Sequence, residues 1–305
     1  MKTSVSETTA ALARRNRATF IGGIAVLLWA LLALLTTGAA GIPPFQLLAM
    51  TFAVAFLVSL AVLAARGRRA FAAWRQRPLV WLLGVAGLFG YHFFYFVALG
   101  NAPAVEASLI AYLWPLLIVV FSALLPGERL RWFHLAGAAM GLLGAGLLVT
   151  KDGHFAFDAR YSLGYLAAAA CAFTWSSYSV LNRRFGAVPT EVVGGFCGAV
   201  AVLALLSHLI WEVTVMPQGV QWLAVLGLGL GPVGAAFFVW DYGTKHGNIQ
   251  ALGAFAYAAP LLSTLVLIAF GKAAATWQVA AACLLIVAGA LLASKEMLRR
   301  RKSRS

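Results

Sequence analysis

Two kinds of short stretch gather the side chains of this chain that could do chemistry. GYHFFYF at 90–96 sets Tyr91 and Tyr95 four residues apart with His92 on the same face, so one helical wall can carry two phenol hydroxyls and an imidazole. AYLWPLL at 111–117 and AYAAPLL at 256–262 repeat each other, placing Tyr112 three residues before Pro115 and Tyr257 three before Pro260, with Trp114 beside the first proline. WSSY at 175–178 adds Trp175 and Tyr178. Such groups bind rather than react: aromatic faces stack on an apolar side chain at ~0.5–1.5 kcal/mol per pair, while hydroxyls and a ring nitrogen hold amino and carboxyl ends.

Each proline adds a further possibility. Inside a helix it costs about 3 kcal/mol, because it removes a donor and crowds the carbonyl four residues back. The carbonyls freed here belong to Ala111 and Ala256, and could accept from an ammonium group while the adjacent bends at Pro115 and Pro260 act as hinges. A packing kink is the alternative for either proline alone; finding the pair at matched positions favours function. Reactive constellations are missing from the sequence: no HExxH, no clustered carboxylates, no serine–histidine pair at shared depth. Cys171, Cys197 and Cys283 lie in apolar runs without CxxC spacing and read as packing residues. The chain is therefore expected to be no enzyme and to need neither cofactor nor metal.

What must position these residues is a membrane bundle. The chain has 305 residues, 62% hydrophobic and 10% charged, with a mean hydropathy of +0.89; soluble domains carry about 25% charged residues. Apolar runs of the ~20 residues needed to cross the bilayer as helix occur at about 20–40, 45–65, 79–99, 104–125, 132–150, 161–181, 190–211, 220–240, 249–270 and 275–294. None alternates as a barrel strand would, so the expected fold is all-α with ten transmembrane helices. The first run is longer than the apolar core of a signal peptide and is read as a retained span.

A net charge of +14 could suggest nucleic acid, but the distribution argues for topology instead. Lys2, Arg14, Arg15 and Arg17 precede the first span; Arg66, Arg68, Arg69, Arg75 and Arg77 follow the second; Arg129, Arg131, Arg183, Arg184 and Lys245 fall in alternate later loops, and six more close the chain from Lys295 to Arg304. With both termini cytoplasmic, only Lys151, Arg160 and Lys272 of the 23 basic residues lie outside, in keeping with the positive-inside rule.

Sliding the chain over itself by 145 positions aligns Pro44 with Pro189, Tyr112 with Tyr257, Pro115 with Pro260, Trp132 with Trp277 and Gly144 with Gly289. Residues 1–150 and 151–305 thus read as two repeats of five spans. Five is odd, so the second repeat is inverted, the architecture of secondary transporters. Sidedness and a rise of ~1.5 Å per residue bring Tyr91, His92, Tyr112, Trp114, Pro115, Trp175, Tyr178, Tyr257 and Pro260 to similar depth. Tyrosine and tryptophan ordinarily prefer the headgroup belts, so this set either lines a cavity or packs a core; lining is the expectation for the group. His92, the one histidine near a span centre, reads as a substrate contact or as a core histidine bonded across helices.

Glu106, Glu128, Asp152, Asp158, Glu191, Glu212, Asp241 and Glu296 all map to loops or span ends, and Glu7 to the N-terminal tail. Without a central acid relay, gradient-driven uniport is favoured over proton antiport. Glycine stripes such as GAAMGLLGAG (137–146) and GLGLGPVG (227–234) read as close helix packing.

The stretch 98–149 resembles the repeat unit of the drug/metabolite transporter superfamily, built of two EamA-type repeats. The match runs through Ala98 and Leu99 before a short loop, ASL at 107–109, Pro115, Glu128 followed by Arg129, and the glycine-rich last helix; the second copy departs from it with Lys272 and Ala273 at the acidic position. Within the superfamily, YHFFYF, YLWP and WSSY resemble the exporters of aromatic amino acids. That resemblance implies a monomer of ten helices in the bacterial inner membrane, exporting aromatic and other neutral amino acids. It implies a central cavity lined by Tyr91, His92, Tyr95, Tyr112, Trp114, Pro115, Trp175, Tyr257 and Pro260. The expected partners are amino acids and membrane lipids, with no nucleic acid. The rival is a drug or metabolite exporter of the same superfamily for another small solute, possibly proton-coupled; a channel would lack saturation and exchange.

Overall fold

The computed structural model describes residues 2–150 and 158–295. Lys151, Asp152, Glu296 and the C-terminal arginines lie outside the described residues, as do the side chains of Lys2 and Glu7. Among the described residues the structure is helical and has no strand. The helices are α1 (Lys2–Trp29), α2 (Leu32–Gly38), α3 (Pro44–Ala65), α4 (Pro78–Asn101), α5 (Ala104–Ala111), α6 (Trp114–Phe121), α7 (Trp132–Val149), α8 (Ser162–Asn182), α9 (Val192–Trp211), α10 (Val220–Leu230), α11 (Ala236–His246), α12 (Ile249–Ala256), α13 (Ala258–Ala269) and α14 (Trp277–Ala293).

Among the described residues, eight helical segments are long and apolar enough to cross a membrane. Of the ten expected spans, the two outside this group are α8, whose Thr174, Ser176, Ser177, Ser179 and Asn182 lower its hydropathy, and α14, which has only 17 residues. Leu57, Leu82, Leu143, Leu166, Leu209 and Leu284 are exposed around the bundle. An apolar periphery on this scale needs lipid to cover it.

Proline and glycine punctuate these elements for identifiable reasons. Pro44 and Pro78 open α3 and α4, where a missing N–H goes unneeded. Gly271, at φ 67°, ends α13 in a left-handed turn, its own N–H bonding to the Ile268 carbonyl and that of Lys272 to the Leu267 carbonyl. The prolines at 115 and 260 avoid the interior penalty in the same way as the helix openers. The helix breaks at Tyr112–Leu113 and again at Tyr257, so Pro115 and Pro260 each fall in the first turn of a restarted helix.

Packing pairs α1 with α11, α3 with α9, α4 with α8 and α7 with α14, while α6 crosses α12. Glycine allows this closeness, as the stripes suggested: a Cβ at Gly137 would strike the Gly289 carbonyl, one at Gly22 would meet Gly243, and one at Gly87 would enter the ring of Tyr178. Between α10 and α11 the chain makes a π-helical turn over Gly231–Ala235. Pro232 within it has no N–H to give the normal ladder, which is where wide turns form.

Candidate functional site

The sequence-selected aromatics fall into two layers. Tyr91, His92 and Tyr95 on α4 and Tyr112 at the α5–α6 break are half-buried. All four keep some accessible surface, in contrast to the fully packed rings beside them. The rings of Tyr91 and Tyr95 are parallel at 6.2 Å, and the tyrosine hydroxyl of residue 95 is 3.3 Å from Ser108 Oγ.

His92 Nδ1 is 2.7 Å from the Leu88 carbonyl. A carbonyl can only accept, so Nδ1 carries the proton and Nε2 of the neutral ring presents its lone pair. The wall therefore offers hydroxyls that give or take a hydrogen bond and one nitrogen that takes one. A zwitterion's ammonium and carboxylate are the natural complement to that set.

The second layer is closed. Trp114 and Trp175 keep only 7% and 3% of their surface, and two tryptophans outside the expected site pack with them. Trp29, from the end of α1, lies 6.0 Å edge-on from both Trp114 and Trp175 and 5.1 Å from Trp240 of α11. Phe237 and Phe52 stack at 5.6 Å, and Phe52 meets His92 edge-on at 5.5 Å. The indole N–H of Trp29 bonds to the Pro232 carbonyl in the π turn (3.1 Å), and that of Trp240 to Ser179 Oγ (3.1 Å), so these two buried indoles keep their hydrogen bonds. Tyr91 bridges the layers, 5.4 Å from Trp175. Trp29 stands near the middle of its apolar run and was as visible as Trp175. Trp240 stood at the assumed end of its run.

The remaining expected residues are buried. Tyr178 is buried with its ring over Gly87 and beside Trp175. Pro115 and Pro260 are buried in the restarted helices. Tyr257 has no exposed surface, its ring lies against Gly141, and its phenol oxygen accepts the N–H of Leu116 at 3.1 Å. Leu116 would ordinarily bond to the carbonyl of Tyr112, where the helix is broken. One broken helix thus repairs the ladder of the other.

Two charged groups close the end of the bundle that carries the basic residues. Glu128, with 9% of its side chain exposed, lies between Arg15 at 2.9 Å and Arg183 at 2.8 Å. Arg183 Nη1 also donates to the Thr244 and Gly247 carbonyls, at 3.1 and 2.7 Å. Asp241, one residue past the expected end of its span at 240, lies inside a helix rather than in a loop. The helix continues through His246, and Asp241 is fully buried in it, 2.9 Å from Lys245 one turn on. Asn182 and the Thr190 hydroxyl donate to its two oxygens, at 2.8 and 2.7 Å. Because the two charges neutralise each other across one helical turn, the helix carries both on to its end at His246.

At the opposite end Glu212 accepts the N–H groups of Phe45 and Gln46, at 2.9 and 3.0 Å, capping α3 from α9. His208, buried below it, bonds to Glu212 and Thr214. Neither reaches the aromatic layers.

A double-layered aromatic site at the crossing of two broken helices is the kind of site a membrane transporter builds. The chain belongs to the EamA-like transporter family, which matches residues 17–150 and again 162–295. It is 55% identical to the aromatic amino acid exporter YddG of Ancylobacter novellus, over 92% of this chain and 98% of that protein. It is 26% identical to the protein of the same name from Escherichia coli (strain K12), over 91% and 97%. A crystal structure of a protein with 55% sequence identity superposes with a TM-score of 0.88, covering 93% of this chain and 98% of the other.

Proposed function

We propose that this transporter exports aromatic and other neutral amino acids across the bacterial inner membrane by alternating access, as a gradient-driven uniporter. In this reading ten spans form two inverted repeats, 1–150 and 151–305, with both termini cytoplasmic and the protein acting as a monomer. The helix pairing supports the repeat. Exchanging the halves turns α1–α11 into α8–α4 and maps α3–α9 and α7–α14 onto themselves.

The observation that carries the proposal is the grading of the aromatic cluster, with partly accessible phenols and His92 beside four buried tryptophans, which we read as the wall and floor of a substrate cleft. Tyr91, Tyr95, Tyr112 and His92 hold the charged ends of the amino acid. Trp114 and Trp175, with Trp29, meet its side chain and divide the cleft from the basic end. The name carried by the relatives from Ancylobacter novellus and Escherichia coli agrees with this substrate class. Uniport is supported by Asp241, the buried acid on this side of the floor. Its oxygens are taken by Lys245, Asn182 and Thr190, which leaves it unsuited to carry a proton in exchange.

Counterflow in proteoliposomes tests the proposal: unlabelled phenylalanine inside, labelled phenylalanine outside, and no imposed pH or sodium gradient. Transient accumulation that depends on the loaded amino acid is expected. A folded, monodisperse protein that accumulates nothing would overturn both the substrate and the uncoupled mechanism.

A further inference from the structure

Away from the aromatic site, a cavity of about 620 Å³ opens on the side of the bundle near its basic end. α11 separates the two regions: Phe237, Trp240 and Asp241 face the centre, while Phe238 and Tyr242, one turn apart on another face, line the lateral cavity. Its other walls are α3, through Val58 and Val62, and the 186–191 segment, through Pro189. Val58 and Val62 are exposed, so the cavity is open toward the bundle's lipid-facing side.

A second chamber of about 410 Å³ continues it, sharing Leu63, Arg66, Pro189 and Glu191 and adding Arg69. The whole forms a mainly apolar shaft, with Ser59, Thr190, Tyr242 and His246 among its lining, and a cationic mouth. Along α3 the shaft runs from Ala55 to Arg66, which at the helical rise is ~16 Å. That is about half of the ~30 Å hydrocarbon core, the depth of one leaflet. Glu191 holds Arg66 at 3.2 Å across the mouth, and Arg69 forms no ion pair among the described residues, which leaves the chamber net positive.

We infer that this cavity is a binding site for one anionic phospholipid of the leaflet at the basic end, with an acyl chain in the shaft and the phosphate between Arg66 and Arg69. Depth, apolar walls and charge each match one part of that molecule, and a free solute would match only one of them. The site rests on the bundle being seated in a bilayer and is independent of which solute the aromatic cleft carries.

Native mass spectrometry of the detergent-purified protein, delipidated and titrated with dioleoylphosphatidylglycerol, tests it. A single lipid adduct is expected, with affinity lowered about fivefold by Arg66→Gln and again by Arg69→Gln, the effect of ~1 kcal/mol per surface arginine. Val62→Trp, which fills the shaft from an exposed position, should weaken the adduct as well. Dioleoylglycerol, lacking the phosphate, and glycerol 3-phosphate, lacking the chains, should both bind far more weakly. Equal binding by either fragment, or an adduct indifferent to all three substitutions, would overturn the site. The readout needs no transport, so its failure is separable from failure of the export proposal.

Discussion

The phenol oxygen of Tyr257 accepts the backbone N–H of Leu116 at 3.1 Å, joining the break in one half of the chain to the restarted helix in the other. The bond is partly buried, and the tyrosine has no surface left for solvent. Tyr257→Phe keeps the ring against Gly141 and orphans one backbone donor, at a cost of about 1–3 kcal/mol. A lower thermal midpoint in detergent is expected, measured by tryptophan fluorescence. An unchanged midpoint would mean that the two breaks are not braced by this bond.

Trp175 touches Tyr91 on the accessible wall and Trp29, Trp114 and Trp240 in the floor. Trp175→Ala should reduce counterflow about tenfold, the loss of roughly 1.4 kcal/mol expected for one good aromatic contact. Its elution profile should stay that of folded protein. Intact transport in this variant would remove Trp175 from the binding floor.

Arg15 and Arg183 share Glu128, but Arg183 also holds two carbonyls at the end of α11. Arg183→Gln should therefore lower the thermal midpoint more than Arg15→Gln. Arg183→Lys should recover only part of the loss, since a point ammonium cannot span carboxylate and carbonyls as a planar guanidinium does. Equal effects at the two arginines would show that the carbonyl contacts contribute nothing.

The Asp241–Lys245 pair offers a sharper comparison. Asp241→Asn or Lys245→Met alone leaves a buried charge without its partner, at ~3–5 kcal/mol. The double variant should be markedly more stable than the sum of the two. Additive losses in that cycle, read from thermal unfolding, would mean that each residue acts through its other partners, Asn182, Thr190 and the Val188 carbonyl.

Much of this was legible in the chain itself because hydropathy runs, proline pairs and charge placement are local signals. The matched breaks at Tyr112 and Tyr257 follow from the 145-residue register, and Tyr91, His92 and Tyr95 share a wall because i and i+4 must. Other features depend on partners far along the sequence. Tyr257 was indistinguishable from Tyr112 by depth, yet one lies under Gly141 and the other keeps accessible surface. Asp241 and Lys245 read as a span boundary because charge usually marks one; only Asn182 and Thr190, more than fifty positions away, reveal the pair as buried. Trp240 was lost for the same reason, being the last residue before a boundary that the helix ignores.

The π turn at Gly231–Ala235 sets the rotational phase of everything that follows it. One residue more or less in a helix turns its continuation by about 100°. With that turn tightened to an ordinary α-helix, α11 would swing Trp240 and Asp241 away from the axis of the bundle, and Phe238 and Tyr242 would move off the lateral cavity. A few atoms of slack between Gly231 and Ala235 therefore decide which face of α11 packs into the tryptophan cluster and which lines the lateral cavity.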